Sequence, residues 1–406
     1  MEAVENVDWV FIDGQTIEIE DALKAAKKLA ASDLDGLVII SGTFHLGHLA
    51  LILAREVGKP VLLWAFDELP YDGGKIRLNS ACGLNLNASN LYKAGFFDYD
   101  YHLGDHIDES WVDALRIRAA LENSRVGIVG SHAHGFYNIE PQSLGDFHDL
   151  GSMIIHYQLD ELYSEPVADA DIKDEESRLR EVFDCGGVTD EQVAKVSRLS
   201  VSIRTFMESR GLTAAAIRCW PEFADRYGIS PCAAMSMAQG DGLITACEGD
   251  VELALSMISL KAVGDEAPFS ADLSQVNIEE DTALLWHCGV APWNLWDKKS
   301  VRSLDTYFAG GRGVTADFVL KEGPFTICRI DRAHGENRLL AGKGRSVGME
   351  KLLKGTYAKV RFEKHIKEVY ENLIRNGFAH HVAMGYGDYM PILEKFARMR
   401  RMKIYV

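Results

Sequence analysis

The chain of 406 residues lacks most of what a nucleic-acid-binding, membrane or secreted protein needs. Basic residues are scarce: 43 Lys and Arg stand against 60 Asp and Glu, giving a formal net charge of -17 and an isoelectric point near 5.2. With no basic excess there is no counterion release to drive binding to a phosphate backbone, which argues against nucleic acid as a partner. Long apolar runs are missing as well. No stretch approaches the ~20 residues of a membrane span, and the acidic start "MEAVENVDWVFIDG" has no apolar signal core. Seven cysteines (82, 185, 219, 232, 247, 288, 328) form an odd, scattered set without a C-x-x-C pair, so neither a zinc motif nor a redox motif is present. A cytoplasmic protein in a reducing environment, with no membrane partner, is the expectation.

What the chain does have is 47% apolar residues and enough length for two or three cores. In "DALKAAKKLAASDLDGLVIISGTF" a helical period over 20–31 leads into a continuous apolar strand at 37–41. A helix at 47–57 and a second buried strand, "PVLLWA" at 60–65, follow. Apolar strands without alternation, separated by helices, predict a parallel sheet covered on both faces. This first block, 1–124, lacks the strand and helix that would normally open such a sheet. A second α/β block, 125–263, starts at "RVGIVGS" and includes a helix near 189–210, a strand at 214–220, a helix at 231–239, a strand at 243–247 and a helix at 251–263. From 264 to 406 short runs punctuated by glycine ("ALLWHCG", "PFTICRIDR", "NRLLAGKGR", "TYAKVRF") read as antiparallel strands. The predicted fold class is therefore α/β, with two doubly wound parallel-sheet domains followed by a β-rich barrel or sandwich.

Open parallel sheets bind ligands beyond the carboxyl ends of their strands, and in "LITACEGDVELALSM" Glu248 stands at such an end. Asp250, directly ahead of a helix, is explained as its N-cap, which leaves Glu248 as either a redundant cap or a ligand. Three histidines occupy apolar, strand-like contexts: His287 in "LLWHCG", and His380 and His381 in "GFAHHVAMGYGDY". Adjacent strand residues point to opposite faces, so only one of that pair is expected to face a given site. Asp272, in "APFSADLSQV", is a turn aspartate or a further ligand. Carboxylate plus imidazole is the donor mix of a divalent ion such as Mn²⁺.

These motifs carry a resemblance. "ACEGDVELALSM", "PFSADLS", "EGPFTICRIDR", "LLAGKGRSV" and "FAHHVAMGYGDYMPILEKFARMRRMKIYV", with "DLDGLVIISGTFHLGHLALILAREVGKPVLLWAFDE" and "GGKIRLNSACGLNL" in the first block, resemble the L-fucose isomerase family. The match runs in order over nearly the whole chain. It implies a metal triad of Glu248, Asp272 and His381: the family spaces its two carboxylates 24 residues apart, as here, and its A-x-H-x-x-x-x-Y-G pattern selects His381 over His380. The resemblance also implies an aldose–ketose isomerase acting on a free or modified sugar through an enediol or enediolate, with Mn²⁺ or another divalent cation. Glu248 and Asp272 would be the catalytic pair. A homo-oligomer, trimer or hexamer, with its site at a subunit interface, is implied too.

Substrate contacts are read from position. Trp64 is a stacking surface for a sugar or a core residue; Trp220 and Glu222, in "RCWPEF", sit at another strand end, where Glu222 binds hydroxyls or starts a helix after proline. His287 approximates a histidine that arabinose isomerases place after their second carboxylate, and His380 would lie beside the site. His132, His134, Lys343 and Arg345 are loop or hairpin residues with a ligand role as the alternative. The competing function class is a non-catalytic sugar-binding or regulatory protein that keeps the fold. Such a protein has no need of a metal triad.

Overall fold

The computed structural model describes residues 4–265, 267–308 and 311–405, which divide into two compact units. One comprises residues up to Ala119 together with Pro391–Met402; the other runs from Ala120 to Met390 and resumes at Lys403. Among the described residues no helix is long and apolar enough to cross a membrane.

The first unit holds a parallel sheet of β1 (Leu37–Ser41), β2 (Val61–Ala65) and β3 (Tyr99–Leu103), in that spatial order. All five residues of β2 are buried, as expected of a central strand covered on both faces. The helix Ile19–Ala30 buries Ala22, Ala25, Ala26 and Leu29, the i, i+3, i+4, i+7 stripe of an amphipathic helix. The helix His48–Val57 stops at Gly58, whose φ of 64° is the left-handed conformation that glycine adopts without a Cβ penalty. Pro391–Met402 completes this unit, with Lys395 Nζ 2.7 Å from Asp108 and 3.1 Å from Asp100.

The second unit joins two sheets. Four parallel strands, β4 (Arg125–Val129), β5 (Met153–Tyr157), β6 (Ala214–Ile217) and β7 (Ile244–Cys247), are ordered β5-β4-β6-β7. They are followed by β8 (Phe269–Asn277), β9 (Thr282–His287), β10 (Ser303–Phe308), β11 (Gly311–Val319), β12 (Gly323–Ala333), β13 (Glu336–Val347), β14 (Thr356–Phe362), β15 (His381–Tyr386) and β16 (Lys403–Tyr405). Six of these close on themselves through antiparallel pairs, in the order β14-β9-β8-β15-β12-β13 and back to β14; β10, β11 and β16 extend the ring. Closure pairs every strand edge within the ring. Of the two expected alternatives, barrel and sandwich, the structure is the barrel.

The helix Val251–Lys261 ties the two sheets together. Its apolar residues run round the whole circumference, and Val251 to Leu260 are all buried, the pattern of a helix with no solvent face. Ser256 shows how closely it is held: its hydroxyl accepts from the Ile330 amide of β12 at 2.8 Å while donating to Glu252 O within the helix. The helix is thereby tied to the barrel strand β12.

One buried group works against stability. Asp146, in the helix Ser143–Leu150, is 1% exposed and its Oδ2 has no hydrogen-bond partner. Burial drives its carboxyl up to about 6, against the opposing charge of Arg332. Between pH 4 and 6 the folded chain therefore binds more protons than the unfolded one, and stability falls as pH rises. Above pH 6 the carboxylate is charged in both states and the penalty is complete. Asp146→Asn is expected to raise the melting temperature at pH 8 and to leave it little changed at pH 4. Equal melting temperatures at pH 8 would show that the charged carboxylate is not penalised.

Candidate active site

The parallel sheet ends where the barrel begins, and the predicted ligands gather there. Directly after β7, Glu248 and Gly249 both take left-handed conformations, with φ of 62° and 75°. Positive φ is uncommon for a glutamate and carries strain that the surroundings must hold in place. They do: the Ala133 amide donates to Glu248 O at 2.8 Å, and a Cβ on Gly249 would stand 2.2 Å from Ser131 O and 2.7 Å from His132 Cα. The loop after β4, which includes His132, thus acts as a backbone clamp that turns Glu248 out of the sheet.

Glu248 Oε1 accepts from the Trp220 indole at 2.8 Å, and its Oε2 lies 3.0 Å from His381 Nε2. The barrel supplies the other members through its register. Asp272 on β8 and His381 on β15 are direct cross-strand partners, so their side chains share a face, and Asp272 Oδ1 is 3.5 Å from His381 Nε2. Asp272 is also paired with Trp286 of β9, next to His287. Two groups of donor atoms result, Glu248 with His380 and His381, and Asp272 with His287 and His381, each lying within 4.8 Å of one another. His381 belongs to both.

The arrangement is electrostatically tense. Burial favours the neutral imidazole of His381, yet Asp250, Glu248 and Asp272 outweigh it and raise its pKa to about 10. Burial pushes the Glu248 carboxyl up, but the hydrogen bond and charge of His381, followed by His287 and Trp220, bring it down to about 2. Burial holds the pKa values of His287 and His380 below the usual histidine range. Two of the facing atoms, Asp272 Oδ1 and His287 Nε2, are buried without a hydrogen bond, while His381 Nε2 faces both carboxylates. Lone pairs left unsatisfied at one point are what a cation site requires, and carboxylate with imidazole suits a divalent ion.

Known proteins point the same way. Two family models match the chain, the L-fucose isomerase C-terminal domain over residues 285–406 and the fucose/sulfoquinovose isomerase N-terminal domain over residues 3–106. The chain belongs to the L-fucose isomerase-like family. As a member it is an aldose–ketose isomerase, which decides between enzyme and sugar receptor. A sulfoquinovose isomerase from Priestia aryabhattai is 27% identical over 401 aligned residues, covering 96% of this chain and 89% of the relative. Sulfoquinovose isomerases from Alkalicoccus urumqiensis and Clostridium sp. (strain MSTE9) are 25% and 26% identical, covering 93% and 91% of this chain and 87% and 86% of theirs.

Of the family-implied residues, Glu248, Asp272 and His381 converge, joined by His287, His380 and Trp220. His380 lies beside the site together with His381, its donor atom within 4.8 Å of those of Glu248 and His381. The ring centroids of the two histidines are 4.2 Å apart. Phe136 makes edge contacts with both Trp220 and His380, at 5.5 and 5.4 Å between centroids. Glu222 starts a short helix and pairs with Arg218 at 2.6 Å. Trp64 belongs to the other compact unit, where it is buried and its indole donates to Gly104 O at 2.7 Å. His134 is exposed, and Lys343, on β13 with Arg345, pairs with Asp388 at 2.7 Å.

Two further roles emerge only in the fold. Asp250 is the expected N-cap, accepting from the Leu253 amide at 2.9 Å, but its other oxygen takes His381 Nδ1 at 2.8 Å. Arg329, fully buried on β12, reaches that same oxygen at 2.8 Å. An arginine between Ile327 and Ile330 in a strand of apolar texture was the available signal, since arginine is almost never fully buried unless paired.

Proposed function

We propose that the protein is a divalent-cation-dependent isomerase that converts sulfoquinovose, a sulfonated hexose, into the corresponding ketose. The substrate is taken from its relatives, which are sulfoquinovose isomerases matched over most of their length. The observation that carries the cation is the meeting of buried Asp272 Oδ1 and His287 Nε2, neither of them hydrogen-bonded, with Glu248 and His381 Nε2. Glu248, Asp272 and His381 would hold the ion, with His287 as a further donor, and Mn²⁺ fits this mixed oxygen and nitrogen set. When bound, the cation polarises the sugar carbonyl and offsets the negative charge developing on the sugar oxygens.

The chain's own residues do the rest. Glu248, ionised and held by the Trp220 indole, takes the proton from C2 of the open-chain aldose and returns it to C1, by way of an enediol. Asp272 serves the sugar oxygens, passing the O2 proton towards O1, so that no external reductant or oxidant is needed. Phe136, Trp220 and His380 offer apolar faces at the margin of the site. We also read the protein as a homo-oligomer. Support comes from exposed apolar side chains in the first unit, where Phe44, Leu46, Tyr71 and Ile76 are 49%, 61%, 93% and 64% accessible.

The test is to follow ketose formation by NMR from sulfoquinovose, glucose and L-fucose, before and after chelation and with Mn²⁺ restored. Conversion of sulfoquinovose that EDTA abolishes and Mn²⁺ restores is the expected result. Turnover indifferent to chelation would overturn the cation, and conversion of L-fucose without sulfoquinovose would overturn the substrate.

A further inference from the structure

We propose that Asp250, anchored by Arg329, is the positioning residue that aims His381 at the reaction centre. This rests on the cation site proposed above and adds to it residues that touch neither the ion nor the sugar. Asp250 Oδ2 receives two donors, His381 Nδ1 and Arg329 Nη1, both at 2.8 Å, and Arg329 Nη1 also reaches the backbone oxygen of His381 at 3.2 Å. The guanidinium therefore grips both the carboxylate and the chain that carries the imidazole. All three side chains are 0% exposed. Beyond Arg329 the alternation of charge continues through Asp331, 3.4 Å from Arg329 Nε, to Arg338, whose Nε is 2.6 Å from Asp331 and whose Nη2 donates to Gly377 O at 3.0 Å.

Capping does not account for this. A helix N-cap needs only the Leu253 contact made by Oδ1, and a serine would supply it. Burying a carboxylate, an imidazole and a guanidinium costs desolvation energy that an apolar trio would avoid, so the cluster is poor value as a stabilising device. As an orienting device it is well made. A carboxylate on Nδ1–H fixes which imidazole nitrogen keeps its proton, sets the ring plane and raises the basicity of the other nitrogen. That other nitrogen, Nε2, is the atom placed 3.0 Å from Glu248 and 3.5 Å from Asp272.

The test compares Mn²⁺ binding by wild type, Asp250→Ser and the double variant Asp250→Ser/Arg329→Met. Serine keeps the cap but is too short to reach His381, and the second change removes the guanidinium that the first would strand. Affinity is read from the resonance of free Mn²⁺, and the ligand field from nitrogen couplings to bound Mn²⁺ at saturating ion; melting curves in EDTA report the fold. Both variants are expected to bind Mn²⁺ about 10- to 100-fold more weakly, with the nitrogen coupling altered as in His381→Ala and the double variant melting as wild type does. A merely structural role would not move the coupling. Wild-type affinity and coupling in a folded double variant overturn the positioning role and leave the cation site standing. Absence of bound Mn²⁺ in wild type overturns the cation site, and the positioning role with it.

Discussion

Glu248→Gln is expected to lower kcat by a factor on the order of 10³ at saturating Mn²⁺ without unfolding the protein. Glutamine has the shape of glutamate, and its carbonyl oxygen can still accept from Trp220, so the contact at 2.8 Å survives. The strained turn survives too, because the Ala133 amide and the close approach of Ser131 act on the backbone at 248 and 249 rather than on the carboxylate. What disappears is the group that can take a proton from carbon. Saturating ion separates that loss from any weakening of cation binding, and melting curves in the same buffer separate it from instability. A kcat within tenfold of wild type would remove Glu248 as the base and leave Asp272 as the carboxylate to test.

Why was Glu248 legible in the sequence while its partners were less so? Buried parallel strands write themselves as unbroken apolar runs, and "LVIIS", "VLLWA" and "ITAC" are strands β1, β2 and β7. A carboxylate at the end of such a run therefore stands out. β3, "YDYHL", and β5, "MIIHY", leave most or all of their side chains at least partly exposed, and their more polar sequences carry weaker signals. The pairing of Asp272 with His381 is a matter of barrel register across more than a hundred residues, which no local pattern encodes; only the family resemblance joined them. The same holds for Pro391–Met402, whose amphipathic helix gives no hint that it belongs with the first sheet rather than with the barrel strands on either side of it in sequence. Asp250 was legible in one role and hidden in another. Its cap is a local event three residues long, whereas its bond to His381 spans 131 residues.

The two adjacent histidines give the second large effect, because the structure makes them unequal. His381 is fully buried, faces both carboxylates through Nε2 and belongs to both donor groups; His380 is half-buried, precedes β15 and belongs to one. His381→Ala removes the donor that both groups share, leaving Glu248 and Asp272 without the imidazole that joins them. Mn²⁺ affinity is expected to fall at least about 100-fold, beyond what is typical for loss of an outer-shell partner. His380→Ala leaves Glu248, Asp272, His287 and His381 in place, and its affinity should stay within about fivefold of wild type, with any larger effect appearing in KM through the lost edge contact with Phe136. Equilibrium titration of the two variants with Mn²⁺ decides it. The reverse ranking would make His380 the ligand, and the cross-strand pairing of His381 with Asp272 would then serve the barrel rather than the ion.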